Sequence, residues 1–549
     1  MSVLPYALPL GALALGWPLL SQRIALSRAK HRSLAGHSRM AKRLALWLPA
    51  YHYDEDEFFR CDGADELVAR RREAAFETLA SGYARRYART LALTRQAREG
   101  LADLQLTGAY RVPFQFAPLV RRQLPVGAFV SAAQGHSLTD LDGNRFIDLT
   151  GSYGVNVMGV DFYKDCMAEG LRTAESVGPV LGAYHPCVAD NVARLQTISG
   201  LDEVSFHMSG TEAVMQAVRL ARYHTGRKHL VRFCGAYHGW WDDVQPGPGN
   251  PMPPRETYTL ADMSERSLQV LRRRRDIACV LVNPLQALHP NRNAPADSAL
   301  VDSSRSAGFD RQAYTDWLQR LRQVCTERGI VLIMDEVFLG FRLAPGGAQA
   351  YFGVQADMVT YGKTLAGGYP VGVLCGRHEL MRRYRDDRPA DLCLARGTFN
   401  AHPYVMAGMS AFLHRLDDPQ VLSAYEGQDA RWDARARHFN DTMEHENLPI
   451  RAAHLQSIWT INYTEASRYN WMLQYYLRWH GLALSWVGTG RLIFGLRMED
   501  DTFEQVVTCF VMAGRDMREQ GWWANPPGLS NRWIRRRVLR ELLSTRFGF

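Results

Sequence analysis

The chain has 549 residues, 46% of them hydrophobic and 22% charged, with a formal net charge of +9. This composition excludes a disordered chain, and the length suits a large enzyme of two or three lobes. The charge sits at the ends: residues 1–50 hold seven basic residues and no acid, and residues 525–549 hold six arginines against Glu541 alone. The body between is therefore slightly acidic, which excludes a nucleic-acid-binding core and turns the ends toward an anionic partner such as a lipid surface.

Nine scattered cysteines, with no CxxC pair and no metal-ligand spacing, read as reduced thiols of a cytoplasmic protein without a metal centre. Val3 to Leu20 is uncharged for eighteen residues, the lower limit for a membrane-spanning helix, although Pro5, Pro9 and Pro18 weaken a straight span. Three readings stay open: a span with the body on the cytoplasmic face, a segment lying in the interface at the inner face of a membrane, or an arm buried in an oligomer. Glu66 to Leu104 reads as a long helical region, with Leu67, Ala74, Leu79, Tyr83, Tyr87 and Leu91 on one face and arginines, including Arg70, Arg71 and Arg72, decorating it. Pro113, Pro118 and Pro125 punctuate the link to the body.

Leu138 to Thr150 reads as a β-hairpin centred on Asp142-Gly143. Short buried strands then alternate with helices: Val204 to His207, Leu230 to Phe233, Ala278 to Val282, Ile330 to Met334 and Met358 to Tyr361. That alternation predicts an α/β fold with a mostly parallel central sheet. After about Pro419 the pattern changes to a smaller α+β C-terminal lobe, with strands at Ser457 to Tyr463 and Leu492 to Leu496 and helices at Asn470 to His480 and Asp501 to Glu519. Asn531 to Phe549 reads as a basic amphipathic tail. The expected division is an N-terminal helical extension over 1–112, an arm and large domain over 113–417, a small domain over 418–524 and the tail over 525–549.

Two strand ends carry the candidate chemistry. Ile330 to Met334 stops at Asp335-Glu336, and Met358 to Tyr361 stops at Gly362-Lys363. Ligands of open α/β sheets bind at the carboxyl ends of the strands, so a carboxylate and an amine face one crevice. Such a pair suits pyridoxal phosphate, where the amine forms a Schiff base and the carboxylate keeps the pyridine nitrogen protonated. A surface Asp and a surface Lys would read the same from this stretch alone. Ser209-Gly210-Thr211 opens a helix after a strand, as a phosphate cradle or a plain N-cap does. Tyr237-His238-Gly239 follows another strand and offers an aromatic ring to stack on a flat ligand.

In order, the chain reads SGTEA, GAYHG, MDEV, YGK and RGTFNAHP. This series resembles the class III aminotransferases, which are fold-type I pyridoxal phosphate enzymes, and DLDGNRFIDLTGSYG (Asp140 to Gly154) resembles glutamate-semialdehyde aminomutase. The resemblance covers roughly residues 120 to 515. It implies pyridoxal 5′-phosphate as cofactor and a small-molecule amine donor and carbonyl acceptor as substrates. Lys363 would carry the cofactor and Asp335 would pair with its ring nitrogen. Gly210 and Thr211 would form the phosphate-binding turn, Tyr237 would stack on the ring, and Ser209, His238 and Gln286 would also bind the cofactor. Thr398 would reach the phosphate of a neighbouring subunit, which implies a homodimer with shared sites. Ser152 and Tyr153, with Arg497, would line the substrate pocket. Where many relatives read Glu-Pro-x-Gln-Gly, this chain reads Asn283-Pro284-Leu285-Gln286-Ala287. The expected function is amino transfer to a hydrophobic or carrier-bound carbonyl compound at a membrane, with an aminomutase or an inactive scaffold as the alternatives.

Overall fold

A computed structural model describes residues 4–109, 112–253, 255–288, 306–485, 490–524 and 526–548. The chain forms two compact units. One takes in the chain up to Leu46, the stretch from Met167 and Asp310–Arg415; the other takes in Trp47–Cys166 and the chain from Leu416.

The first unit is built on a seven-stranded sheet ordered Glu203–His207, Gly372–Gly376, Met358–Gly362, Val331–Asp335, Ile277–Val282, His229–Phe233, Thr257–Leu260. Gly372–Gly376 runs antiparallel to both its neighbours and every other pairing is parallel. The central strands Ile277–Val282, Val331–Asp335 and Met358–Gly362 are buried along their whole length, so they lack the polar alternation of half-exposed strands and read as continuous apolar runs. The five strands expected from the sequence are all present. Two were not expected: Thr257–Leu260, whose alternating threonines hide an edge strand, and Gly372–Gly376, which glycines bound at both ends.

Leu4–Ala29 is one helix, continuous through Pro9 and Pro18. Its end docks on this unit: Ala29 is buried, its carbonyl accepts from the Ala261 N–H at 2.9 Å, and the helix packs on Glu265–Arg273. Among the described residues no helix is long and apolar enough to cross a membrane. All nine cysteines are free thiols.

The second unit holds two sheets. The hairpin lies in one of them, as Ser137–Asp140 antiparallel to Arg145–Asp148. The Asp140 carboxylate accepts from the Asp142 and Asn144 N–H groups, both at 2.9 Å, and so fixes the turn. The other sheet, Ile450–Leu455, Ile458–Tyr463 and Arg491–Ile493, accompanies the helices Gln428–His445 and Asp500–Glu519. The helical region of the extension is three helices, Glu66–Arg86, Ala88–Arg98 and Ala102–Ala109. Its buried face corrects the expected one. Leu67 and Ala74 are exposed, and the face runs through Ala69, Arg72, Phe76, Leu79 and Tyr83. Arg72, expected as surface decoration, is fully buried at the 3–4 spacing of that stripe. It forms an ion pair with Asp62 at 2.7 Å and donates to the carbonyls of Phe59 and Gly521.

The basic tail is the helix Asn531–Phe547, and its one acid anchors it. Glu541 accepts from Tyr51 and Tyr53 hydroxyls at 2.9 and 2.7 Å and from Arg468 Nη1 at 2.9 Å. Burial pushes the Glu541 carboxyl up, but the Arg468 guanidinium and the two phenols outweigh it and hold the pKa below the ordinary glutamate value.

Candidate functional site

The candidate residues of the first unit gather at the carboxyl edge of its parallel strands, each in the loop that leaves a strand. Ser209 follows Glu203–His207, Tyr237 and His238 follow His229–Phe233, and Gln286 follows Ile277–Val282. Asp335 ends its own strand, and Lys363 follows Met358–Gly362. Close contacts tie these loops together. A Cβ added at Gly210 would lie 2.6 Å from Val337 Cγ1, and one added at Gly239 would lie 2.5 Å from Thr211 Oγ1. Gly239 also has φ +95°, a conformation that glycine adopts without strain.

Asp335 is buried and held from two sides. His238 Nδ1 donates to Asp335 Oδ2 at 2.7 Å, while Thr360 Oγ1 and the Val337 N–H each donate to Oδ1 at 3.2 Å. Thr360 reaches it because the parallel register pairs Asp335 with Thr360. Burial pushes the His238 pKa down and the Asp335 carboxylate pulls it back. The net lowering keeps the ring neutral, with its proton on Nδ1 toward the carboxylate. His238 Nε2 is buried with no hydrogen-bond partner among the described residues.

Lys363 sits at φ +48°, a left-handed conformation that a non-glycine residue holds only when its surroundings enforce it. Its Nζ lies 5.3 Å from the Phe338 ring centroid. Burial pushes its pKa down to about 8, and the Asp335 charge acts against that fall. An amine at that value is part neutral near pH 8, so it can act as nucleophile or base.

Ser209 caps the helix Gly210–Thr225. Its Oγ accepts from the Glu212 N–H at 3.3 Å, and Glu212 Oε2 accepts from the Met208 N–H at 2.9 Å, a reciprocal cap. The first-turn N–H groups of Gly210 and Thr211 have no intrahelical acceptor and suit an anion. Gln286 donates through Nε2 to the Cys234 carbonyl at 2.7 Å, and its Oε1 is buried without a partner among the described residues. Asn283 donates to the Tyr237 carbonyl at 3.1 Å, so the divergent loop positions the Tyr237 backbone. Tyr237 itself is 62% exposed.

Thr398 is exposed in the segment before the helix Pro403–Arg415. Ser152, Tyr153 and Arg497 belong to the second unit. Ser152 and Tyr153 are both left-handed, at φ +46° and +56°, and Thr150 Oγ1 accepts from the Ser152 N–H at 3.0 Å. Arg497 is exposed just past Arg491–Ile493.

Sequence reasoning missed three supporting groups. Thr360 reads as one more residue of an apolar run. Glu336 is buried, with its pKa pushed up to about 7 by burial, and accepts from the Ala348 and Gln349 N–H groups at 2.6 and 2.9 Å. Gly372 lies under the Ser209–Thr211 turn, where an added Cβ would collide with the Ser209 carbonyl oxygen. Its glycine was visible in the sequence, but the contact that needs it was not.

A family model described as "Aminotransferase class-III" matches residues 119–513. The chain is 33% identical over 318 residues to glutamate-1-semialdehyde 2,1-aminomutase of Methanocaldococcus jannaschii, covering 54% of this chain and 68% of that one. It is 33% identical over 365 residues to the enzyme of the same name from Desulfotalea psychrophila, covering 63% and 79%. A solved structure described as a transaminase with PLP bound superposes with a TM-score of 0.60 at 27% identity, covering 72% of this chain and 93% of that one.

Proposed function

The chain belongs to the class III aminotransferase family and uses pyridoxal 5′-phosphate, and from that membership we propose that Lys363 and Asp335 are its catalytic pair. The observation that carries this reading is the convergence at one sheet edge of a lysine with its pKa pushed down to about 8, a doubly held carboxylate and a capped helix N-terminus. The donor set fits the cofactor: first-turn N–H groups for a phosphate, a buried carboxylate for a ring nitrogen and an amine for an aldehyde. Buried Gln286 Oε1 and His238 Nε2 have polar capacity to spare.

When bound, pyridoxal phosphate supplies an electrophilic aldehyde carbon and a ring that takes up electron density from the carbon next to the substrate nitrogen. Gly210 and Thr211 bind the phosphate through their N–H groups, with Ser209 and Glu212 fixing the turn. Asp335 holds a proton at the ring nitrogen. His238 and Thr360 orient that carboxylate, because both donate to it. Lys363 would hold the cofactor through its amine, and as a free amine its Nζ would serve as the base for the proton beside the substrate nitrogen. Tyr237 would supply an aromatic face for the ring.

The assembly in this reading is a homodimer in which Thr398 reaches the neighbouring subunit's phosphate. The segment carrying Thr398 also exposes Leu392, Leu394 and Phe399, apolar side chains that an interface would cover. The amine donor and carbonyl acceptor are small molecules, and the basic ends meet an anionic membrane surface at its cytoplasmic face, with Arg536 and Arg540 exposed on the tail helix. A second reading, intramolecular amino transfer, is favoured by the relatives named aminomutase.

The test is a donor and acceptor screen read by cofactor absorbance, with and without anionic vesicles. Amino transfer between separate donor and acceptor is expected. Turnover of glutamate semialdehyde with no added donor, and no transfer otherwise, would establish the second reading instead. Absence of any spectral response to any amine would leave an inactive scaffold.

A further inference from the structure

Residues 28–42 precede the stretch matched to the family, and within the first unit they pack against the loop that carries Tyr237 and His238. The end of the helix Leu4–Ala29 lies on Glu265–Arg273, where the Ala261 N–H donates to the Ala29 carbonyl and Arg266 Nη1 donates to the Arg28 carbonyl at 3.4 Å. His31 is buried in the turn that follows. The Ser33 N–H donates to His31 Nδ1 at 3.1 Å, and the Gly36 N–H donates to the Ser33 carbonyl at 3.0 Å. The turn is so tight that a Cβ added at Gly36 would lie 2.6 Å from the His31 carbonyl oxygen. This folding places the Ser33 hydroxyl 3.0 Å from His31 Nδ1 and 3.3 Å from Cys234 Sγ. Further on, Lys42 Nζ donates to the Met252 carbonyl at 2.6 Å.

Cys234 and Met252 therefore bracket the loop that leaves the strand His229–Phe233, and Cys234 is its fixed end. The Cys234 N–H donates to the Leu260 carbonyl at 2.8 Å, its carbonyl accepts from Gln286, and its buried thiol meets Ser33. Beyond it the chain turns at Gly235 and Gly239, with φ +84° and +95°, and Tyr237 and His238 stand between the two glycines. Glycine has the widest backbone freedom, so these turns give the stretch little rigidity of their own. Its direction is set by what holds Cys234 and by the contacts of Tyr237 with Asn283 and of His238 with Asp335. A thiol–hydroxyl contact is weak, so the hold on Cys234 comes from the whole docked turn more than from that one contact.

We propose that residues 28–42 are a strap, added outside the family, that sets Cys234–His238 in place and so couples its own docking to cofactor binding, with Ser33 and Gly36 as positioning residues. The proposal rests on the cofactor roles given above to Tyr237 and His238. The coupling is reciprocal: a docked strap tightens cofactor binding, and bound cofactor holds the strap down by the same factor.

The test compares the full chain, stripped and loaded with pyridoxal phosphate, by hydrogen exchange read on peptides covering residues 29–37, and needs no variant. Loading should slow exchange in the strap roughly fivefold, the low end of couplings between sites, and leave the tail helix unchanged. Gly36→Ala, whose added Cβ opens the turn, should speed exchange in the strap and weaken cofactor binding by about the same factor in fluorescence titration; Ser33→Ala should do both to a smaller extent. Identical strap exchange in stripped and loaded protein would overturn the coupling, and so would equal slowing in the strap and the tail helix, which marks general stabilisation. A Gly36→Ala chain with a faster-exchanging strap and unaltered cofactor affinity would overturn it as well, and would leave the assignment of Lys363 intact. Cofactor attached at another lysine, with the strap still responding to Gly36→Ala, would instead overturn the cofactor reading, and the strap's role with it.

Discussion

In the proposed reading Lys363 carries the cofactor and then moves a proton, and both tasks need a neutral amine. Burial depresses its pKa to about 8, so the neutral fraction rises as pH passes through 8 rather than through the ordinary lysine value. Cofactor reloading into stripped protein should therefore quicken with pH to a midpoint near 8 and then level off, as stopped-flow absorbance would show. A rise continuing beyond pH 10 would contradict the placement. The same shift makes the stripped protein gain stability from this group between about pH 8 and 10.5, where only the unfolded chain still binds the proton. Asp335→Asn should retain bound cofactor and lower kcat/KM by roughly 10² or more, since the carboxylate that protonates the ring is lost; steady-state kinetics within a few-fold of wild type would refute its role. The positions of Asp335 and Lys363 were legible because the first ends a fully buried strand and the second directly follows one, where a charge stands out against an apolar run. The partners of Asp335 were not. Thr360 meets it through strand register and His238 through a loop 97 residues away, and no local pattern encodes either.

At the scale of elements, the Ser209–Thr211 turn, proposed to hold the phosphate, depends on a strand it does not touch in sequence. Gly372 pairs with His207 in the antiparallel register, which brings its Cα against the Ser209 carbonyl. Gly372→Ala should push the Ser209–Thr211 turn out of place and weaken cofactor binding at least tenfold, with circular dichroism unchanged; fluorescence titration of the stripped variant reads this. Unaltered affinity would show that the turn tolerates displacement or does not hold the phosphate. The parallel strands were readable from their apolar runs, whereas Gly372–Gly376 was hidden by its brevity and Thr257–Leu260 by the polar residues of an edge.

At the scale of the whole molecule, the charged ends are partly structural. Glu541 ties the tail helix to Tyr51, Tyr53 and Arg468, so Glu541→Ala leaves a buried guanidinium without its carboxylate. The expected loss is about 3–5 kcal/mol in urea unfolding. Because the Glu541 pKa is depressed in the fold, this stabilisation is present above the ordinary glutamate value and is lost as pH falls through the folded one. An unfolding midpoint that does not move would mean the tail is only loosely docked. Sequence reading placed Arg72 at the surface because charge ordinarily marks solvent, and it is instead drawn inward by Asp62. The tail helix keeps its arginines exposed and is tied down through Glu541.

The chain has five lysines, Lys30, Lys42, Lys164, Lys228 and Lys363, and only the last follows a strand at the carboxyl edge of the sheet. Borohydride reduction of the loaded protein, followed by peptide mass spectrometry, fixes which of them carries the cofactor. The added mass is expected on the peptide containing Lys363 alone. Finding it on any of the other four would contradict the site at its centre.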